Sequence, residues 1–449
     1  MFKDVFALTL VSSFRFFGLF VALPAIGLYT DAFGTSAFLA GIAAGGYAIT
    51  QIIFQTPFGI WSDTYDKKRV IALGLVIFIL GSLVCAFSND IIMLIIGRFL
   101  QGAGAIGGVI SAQIADLVRE EDRSKAMAMM GAGIFVSFIL AMILGPLIAG
   151  NIGLQAIFLL TALLNTLALI LLLVRVPPTP KITYTYNNTD FMNILKNPNL
   201  QVLNLSALLQ KFLMIFTFVI VGMALRESFD ITESSLWEIY APGAILGLLV
   251  LAPASILAQK KGYFKQVLLT GIVAFILSYA CIAYASAVGS LWLFVLGIMI
   301  FFVGFSIHEP IMQTLASRYP KAHQKGSALG FFTTLGFVGS ALGALCSGML
   351  YESLSLANLS INVVVVCVLW AIVMMIWLHN PNNEKNLYLP IDSYTQVRLE
   401  NLNNVEGVIE WYINTTQGVV IIKYDDRIIN QEAILARLDT PRTNPLQEQ

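Results

Sequence analysis

The chain has 449 residues, 57% hydrophobic and only 12% charged, with 26 basic side chains balanced by 26 acidic ones. Soluble domains carry roughly 25% charged residues, so a mean hydropathy of +0.80 excludes an ordinary soluble protein. The neutral balance points to neither an acidic nor a basic partner, and no nucleic-acid partner is expected.

Apolar stretches fill the chain from residue 5 to residue 379, at 5–30, 37–60, 70–87, 90–118, 125–150, 153–175, 200–227, 235–258, 264–287, 290–317, 324–351 and 355–379. Each can cross a hydrocarbon layer of roughly 30 Å as a helix of about 20 residues. The first is too long for a signal-peptide core and reads as a retained helix. The connections alternate in charge. Those holding Lys67, Lys68 and Arg69, then Arg119, Arg123 and Lys125, then Arg175, Lys181 and Lys196, then Lys260, Lys261 and Lys265, then Arg318, Lys321 and Lys325 are basic. The connections between them carry no Lys or Arg, and only Arg226 breaks the pattern. Basic loops stay on the cytoplasmic side. The reading is a multi-pass protein of a bacterial inner membrane, in contact with lipid, with both termini cytoplasmic.

The longest connection between spans, 176–199, holds Pro177, Pro178, Pro180 and Pro198. It divides the chain into a six-helix bundle at 1–176, a cytoplasmic linker at 177–199 and a second six-helix bundle at 200–379. The halves echo one another. Pro57, Gly59 and Asp63 match Pro253, Ser255 and Gln259 at a spacing of 196 residues, and Gln113 and Lys125 match Gln313 and Lys325 at a spacing of 200. Duplication is the favoured explanation. Two parallel six-helix repeats place a substrate site between the halves at mid-membrane.

Beyond His379 the composition turns polar, and 386–449 reads as a small cytosolic α+β domain. A strand near 387–391, a helix at about 394–403 after Asp392 and Ser393, strands at 408–413 and 418–424, and a helix at about 429–438 are expected. That order is ferredoxin-like, lacking its last strand. A core of about 50 residues is marginal alone, which leaves docking or dimerisation through this domain open.

Several segments resemble signatures of the major facilitator superfamily. Gly59-Ile-Trp-Ser-Asp63-Thr-Tyr-Asp66-Lys67-Lys68-Arg69 resembles the loop signature between helices two and three. Arg98-Phe-Leu-Gln101-Gly102-Ala-Gly104 resembles the helix-four signature, and Gly145-Pro146-Leu-Ile-Ala-Gly150 the helix-five signature of proton-linked antiporters. Trp61, Thr64, Asp66, Ala141 and Ala149 depart from those patterns. The whole chain, terminal domain included, is similar to the YajR-type transporters of that superfamily. The resemblance implies a gating set of Gly59, Asp63, Lys67, Lys68, Arg69 and Asp116. In it Asp63 caps or pairs with a helix of the other half, Lys67 pairs with Asp116, and Gly59 allows close helix approach. The competing reading of the loop is solvated charge that sets topology.

Charges inside spans are costly and mark functional candidates. Arg98 lies roughly 12 Å into span four by the 1.5 Å rise, with Gln101 one turn on; Arg15 lies inside span one. The alternative for Arg98 is hydrogen bonding to backbone carbonyls between helices. Lys211 in span seven and Gln313 in span ten complete the cavity and substrate candidates. Glu309, beside His308 and before Pro310, is the acid best placed to carry a proton, because a carboxyl removed from water keeps its proton more readily. Its rival role is an ionised partner for a cation across the bundle. Asp63, Asp116 and His308 complete the proton-coupling candidates, although a packed imidazole is the commoner role for such a histidine.

No nucleophile–base pattern, phosphate-binding loop or Cys/His metal spacing is present, so neither an enzyme nor a metal site is expected. No cofactor is expected; the proton gradient is the driving force. The expected fold is an all-α membrane protein of twelve transmembrane helices in two six-helix repeats, with the small α+β domain appended. The expected function is proton-coupled export of small amphipathic compounds by alternating access. Two rivals stand beside it: proton symport of a small anionic metabolite, and a membrane-anchored sensor with vestigial transport.

Overall fold

The computed structural model describes residues 2–25, 33–118, 120–178, 196–232, 235–320, 325–380, 384–390, 399, 401–402, 405–414 and 419–439. The first half of the chain forms α1 (Phe2–Phe20), α2 (Ala37–Thr64), α3 (Lys67–Ala86), α4 (Ile91–Ala103), α5 (Gly107–Leu117), α6 (Glu120–Asn151) and α7 (Leu154–Arg175). The second half forms α8 (Pro198–Phe229), α9 (Leu236–Lys261), α10 (Phe264–Val288), α11 (Leu291–Arg318), α12 (Lys325–Ser353) and α13 (Leu356–Trp377). Eleven stretches are apolar and long enough to cross a membrane, with α4 and α5 making one crossing between them. The twelfth crossing begins with α1, which also carries Lys3, Asp4 and Arg15.

Helix ends follow from local chemistry. Asp66, Asp90, Asn197 and Ser355 sit at N-caps, and each side chain accepts a backbone N–H of the first turn. Such caps satisfy donors that the helix itself cannot. Gly262 and Gly289 close α9 and α10 in the left-handed conformation that glycine adopts without strain.

The structure corrects two spans. The helix expected over 5–30 ends at Phe20 and continues to Ala25 as turns, with Leu23 N–H bonded to Phe20 O and Ala25 N–H to Ala22 O. Pro24, which has no N–H, stands in that stretch and cannot extend the ladder; residues 26–30 lie outside the described ones. The span expected over 90–118 is broken at Gly104–Ile106. Its glycines weaken the helix and let neighbours close in. A Cβ at Gly102 would collide with the Tyr47 carbonyl of α2, and one at Gly104 with the Gly74 carbonyl of α3.

The duplication is visible in the contacts. Lys68, second residue of α3, donates to Leu173 O near the end of α7 at 2.9 Å; Lys265, second residue of α10, donates to Met375 O near the end of α13 at 2.6 Å. Cys85 Sγ lies 3.7 Å from Leu94 O, and Cys281 Sγ 3.3 Å from Leu293 O. Gly97 packs α4 against α3 as Gly297 packs α11 against α10. Small residues at these crossings allow the close backbone approach on which helix association in lipid depends.

The halves meet at the end of the bundle remote from the basic loops. Gly41 and Gly45 of α2 abut Ser340 and Ala344 of α12, and Gly348 abuts Ala37 and Phe38. Deeper in, Phe138 of α6 sits 5.8 Å from Phe218 of α8 and 4.8 Å from Phe305 of α11, centroid to centroid. Toward the basic loops, Gly59, Gly131 and Gly330 face open space. The close backbone approaches between the halves named here lie at the end remote from the basic loops, while α5 also meets α12.

Residues 380–449 are a separate compact unit. Strands β1 (Glu384–Pro390), β2 (Val408–Asn414) and β3 (Val419–Asp425) form an antiparallel sheet in the order β1-β3-β2. This is the order of a split β-α-β unit. The expected helix at 394–403 falls mostly outside the described residues, where Leu399 is helical and 401–402 form a turn. Helix α14 (Gln431–Asp439) packs Ile434 and Leu438 on Leu387, Val420 and Ile422.

Candidate functional site

Polar side chains cluster inside both halves of the bundle. In the second half, α11 carries Glu309 and α8 carries Lys211 and Gln210. Lys211 Nζ is 2.8 Å from Glu309 Oε2, and Gln210 Nε2 donates to the same oxygen at 3.0 Å. Gln313, one turn along α11, hydrogen-bonds the same carboxylate. The Lys211 ammonium also lies 5.3 Å from the Phe305 ring centre. The two charged side chains keep 21% and 10% of their exposure, so the pair is partly accessible rather than sealed. His308 is on another face of α11. It is fully buried, with Nε2 2.8 Å from Leu268 O and its ring against Phe275 and Trp370. The helix rotates about 100° per residue, so adjacency in sequence does not bring this imidazole to the Glu309 carboxylate. Its Nδ1 has no hydrogen-bond partner.

In the first half, Arg98 is saturated by its surroundings. Its guanidinium donates to Ala43 O at 3.0 Å and Ala44 O at 2.9 Å, both on α2, and to Leu19 O of α1 at 3.3 Å. It also donates to Gln101 Oε1 at 2.7 Å, and Gln101 Nε2 donates in turn to Ser82 Oγ of α3 at 2.9 Å. Both residues are buried. They pin α4 to three neighbours, the arrangement that the backbone-carbonyl reading of Arg98 describes. Membrane helices gain stability from such interhelical hydrogen bonds because lipid supplies no alternative.

Arg15 is placed differently. It is 0% exposed, its Nη2 donates to Gly104 O at 3.0 Å, and its Nε and Nη1 have no hydrogen-bond partner. The helix break supplies that acceptor, since Gly104 lies beyond the last residue of α4. Gln51 and Gln55, one turn apart on α2, also hold unpartnered amide atoms. Two polar residues four apart in an apolar helix were a readable signal that the sequence reading passed over. Arg15 and Lys211 are separated by 196 residues, the spacing of the repeat. Each lies about 20 Å from the start of its helix by the 1.5 Å rise.

At the loop between α2 and α3, Lys67 Nζ is 2.9 Å from Asp116 Oδ2 at the end of α5. Both belong to the first half, so this pair does not itself tie the halves together. Asp66 caps α3 through Lys68 N–H, and Lys68 reaches Leu173 O as described. Arg69 is exposed. Asp63 is the next-to-last residue of α2, with its side chain outside the described ones. A Cβ at Gly59 would meet no heavy atom within 4 Å, so the expected close approach is not made there. Gly145, beside Pro146 on α6, does make one: a Cβ would collide with the Val21 carbonyl and touch Pro24. Gly150 lies a turn further along α6, near its end. Among the described residues no group of His, Cys, Asp or Glu is arranged to hold a metal ion.

A model of the Major Facilitator Superfamily matches residues 5–344 and 265–401. The inner membrane transport protein YajR of Escherichia coli K12 is 31% identical over 439 residues, spanning 96% of this chain and 95% of that protein. The class B tetracycline resistance protein of Escherichia coli is 29% identical over 326 residues, covering 70% of this chain and 79% of that one. Among solved structures, the human organic anion transporter MFSD10 superposes with a TM-score of 0.67 at 15% identity, over 83% of this chain and 99% of that one.

Proposed function

Because the chain belongs to the major facilitator superfamily and is a multi-pass membrane transporter rather than an enzyme, we propose that it exports small amphipathic compounds in exchange for protons. Glu309 is the carboxyl that changes protonation. The observation that carries this reading is the partly exposed Lys211–Glu309 pair between α8 and α11.

The physical cycle is simple. With Glu309 ionised, the pair is neutral and its two side chains hold each other. A proton on Glu309 ends that attraction and leaves the Lys211 ammonium free, which changes the electrostatic cost of each arrangement of the helices around it. Loss of the proton to the other side restores the pair. The close approach of α2 and α12 at the end remote from the basic loops fits a bundle closed at one face. By the distribution of Lys and Arg, the open face is cytoplasmic, both termini lie inside, and the protein resides in the inner membrane. The Gly145–Pro146 segment and the relative that is a tetracycline resistance protein support export. The β1-β3-β2 order supports a ferredoxin-like reading of the terminal unit.

A second reading, uptake of an anionic metabolite with a proton, is favoured by one observation: the buried Arg15 guanidinium leaves Nε and Nη1 without a hydrogen-bond partner among the described residues. Flux in proteoliposomes with an imposed pH gradient tests both, using a panel of amphipathic dyes and small carboxylates. Native protein is expected to move dye against the proton flow. Glu309→Gln is expected to lose at least tenfold of the gradient-driven rate while keeping substrate counterflow without a gradient. Unchanged gradient-driven flux in Glu309→Gln would remove this residue from the mechanism, and uptake of carboxylates alone would select the second reading.

A further inference from the structure

The first turn of α5 begins in the middle of the bundle at Gly107 and Gly108, after an N-cap position held by Ile106, whose side chain caps nothing. A helix N-terminus carries partial positive charge and unsatisfied N–H groups. Side-chain donors stand beside it. A Cβ added at Gly107 would have a single neighbour within 4 Å, Arg15 Nη1 at 3.8 Å; one added at Gly108 would have only Gln55 Nε2, at 2.8 Å. Arg15 is completely buried with Nε and Nη1 unpartnered, and Gln51, also buried, lacks partners for both amide atoms. Leaving such groups without partners is expensive. A guanidinium without a carboxylate in a low-dielectric interior is more so.

We propose that Arg15, Gln55 and the first turn of α5 form a subsite for one carboxylate group of an otherwise apolar substrate. The single full charge of the guanidinium favours a monoanion. It matches one carboxylate, and the partial charge of the helix terminus adds to that attraction, whereas a phosphate dianion would bring a second full charge that the Arg15 guanidinium does not match. The surroundings favour an apolar body, because the rings of Phe16 and Phe78 flank the guanidinium at 5.4 and 5.9 Å. The inference rests on transport through this bundle and holds for either direction of movement. The paired Lys211 in the other half is already neutralised by Glu309, so the anion is drawn to the first half.

The test is calorimetric titration of the full chain in detergent, at constant ionic strength and without a pH gradient, with benzoate, benzamide and benzylamine as probes. Benzoate is expected to bind at least tenfold more tightly than either neutral benzamide or cationic benzylamine. Arg15→Gln, which keeps a donor for Gly104 O, is expected to weaken benzoate at least tenfold, and Gln55→Leu about threefold. Should Arg15→Gln fail to fold, Gly107→Val, which fills the space in front of α5, is expected to give the same loss. Equal binding of benzoate and benzamide, or benzoate affinity unchanged in Arg15→Gln and in Gly107→Val, overturns the subsite. So does loss of benzoate binding in Lys211→Met with retention in Arg15→Gln. Native protein that binds benzoate in this way but shows no flux under any gradient would sink the transport reading and leave the subsite standing.

Discussion

The two halves of the bundle put a cation at the same depth and answer its charge in different ways. Lys211 meets a carboxylate on the unbroken α11, whereas Arg15 meets one backbone carbonyl where the matching span is interrupted. The residue that corresponds to Glu309 at the 200-residue spacing is Val109. A repeat that began as two similar bundles has thus come to hold a neutral, titratable pair on one side and an unanswered positive charge on the other. Asymmetry of this kind is what the proposed exchange of substrate for protons would require, since two identical halves would bind proton and substrate alike.

Arg98 sharpens the contrast, because burial alone does not distinguish a working charge from a structural one. Its donors are spent on α1, α2 and Gln101. Replacing it removes several charge-assisted hydrogen bonds, each contributing about 1.5–3 kcal/mol, though measured values in membrane helices run lower. Arg98→Leu is expected to cost about 3–5 kcal/mol and to lower the yield of folded protein, with the largest fall in thermal midpoint in detergent among the variants named here. A well-folded Arg98→Leu protein that had lost only transport would favour the substrate role of Arg98 over the structural one.

Lys211→Met should behave in the opposite way. Glu309 loses its cation but sits in a partly exposed site and can take up a proton, so the cost to stability is expected to be smaller, about 1–3 kcal/mol. Gradient-driven flux is expected to vanish. The double variant Lys211→Met with Glu309→Gln is expected to recover most of the lost midpoint without recovering transport, since no charge is left buried. If the double variant is no more stable than Lys211→Met, the two side chains are not energetically coupled.

Much of this architecture is legible in the chain itself. Twelve apolar stretches, alternating basic loops and the 196- and 200-residue spacings come from hydrophobic length and topogenic charge, which act locally. The N-caps at Asp66, Asp90 and Ser355 are equally local. What escaped is long-range. Nothing near Arg98 in sequence announces that Ala43, Ala44 and Leu19 would supply its acceptors. Nor does the glycine-rich stretch from Gly102 to Gly108 say whether it packs as a face or breaks; it does both, and the break creates the acceptor for Arg15. His308 and Glu309 look like one site when written side by side, yet they face different neighbours.

The smallest expected effect probes what the halves still share. Lys68 and Lys265 each extend from the first turn of one helix to a carbonyl near the end of another, Leu173 on α7 and Met375 on α13. A cation at a helix C-terminus contributes roughly 0.3–1 kcal/mol when exposed, and salt weakens it. Lys68→Ala and Lys265→Ala are each expected to lower the thermal midpoint by a small and similar amount, with the difference shrinking at high salt. The double variant should be additive, because the two contacts lie in different halves and share no partner. Flux should respond unequally even so. Lys68 belongs to the loop that also holds Lys67, Asp66 and Asp63, whereas the corresponding loop of the second half has Gln259 in place of Asp63. Equal loss of transport in both variants would mean that these lysines serve only to fasten helix ends. A larger loss in Lys68→Ala, at matched stability, would locate the divergence of the repeats in that first-half loop as well as in the membrane interior.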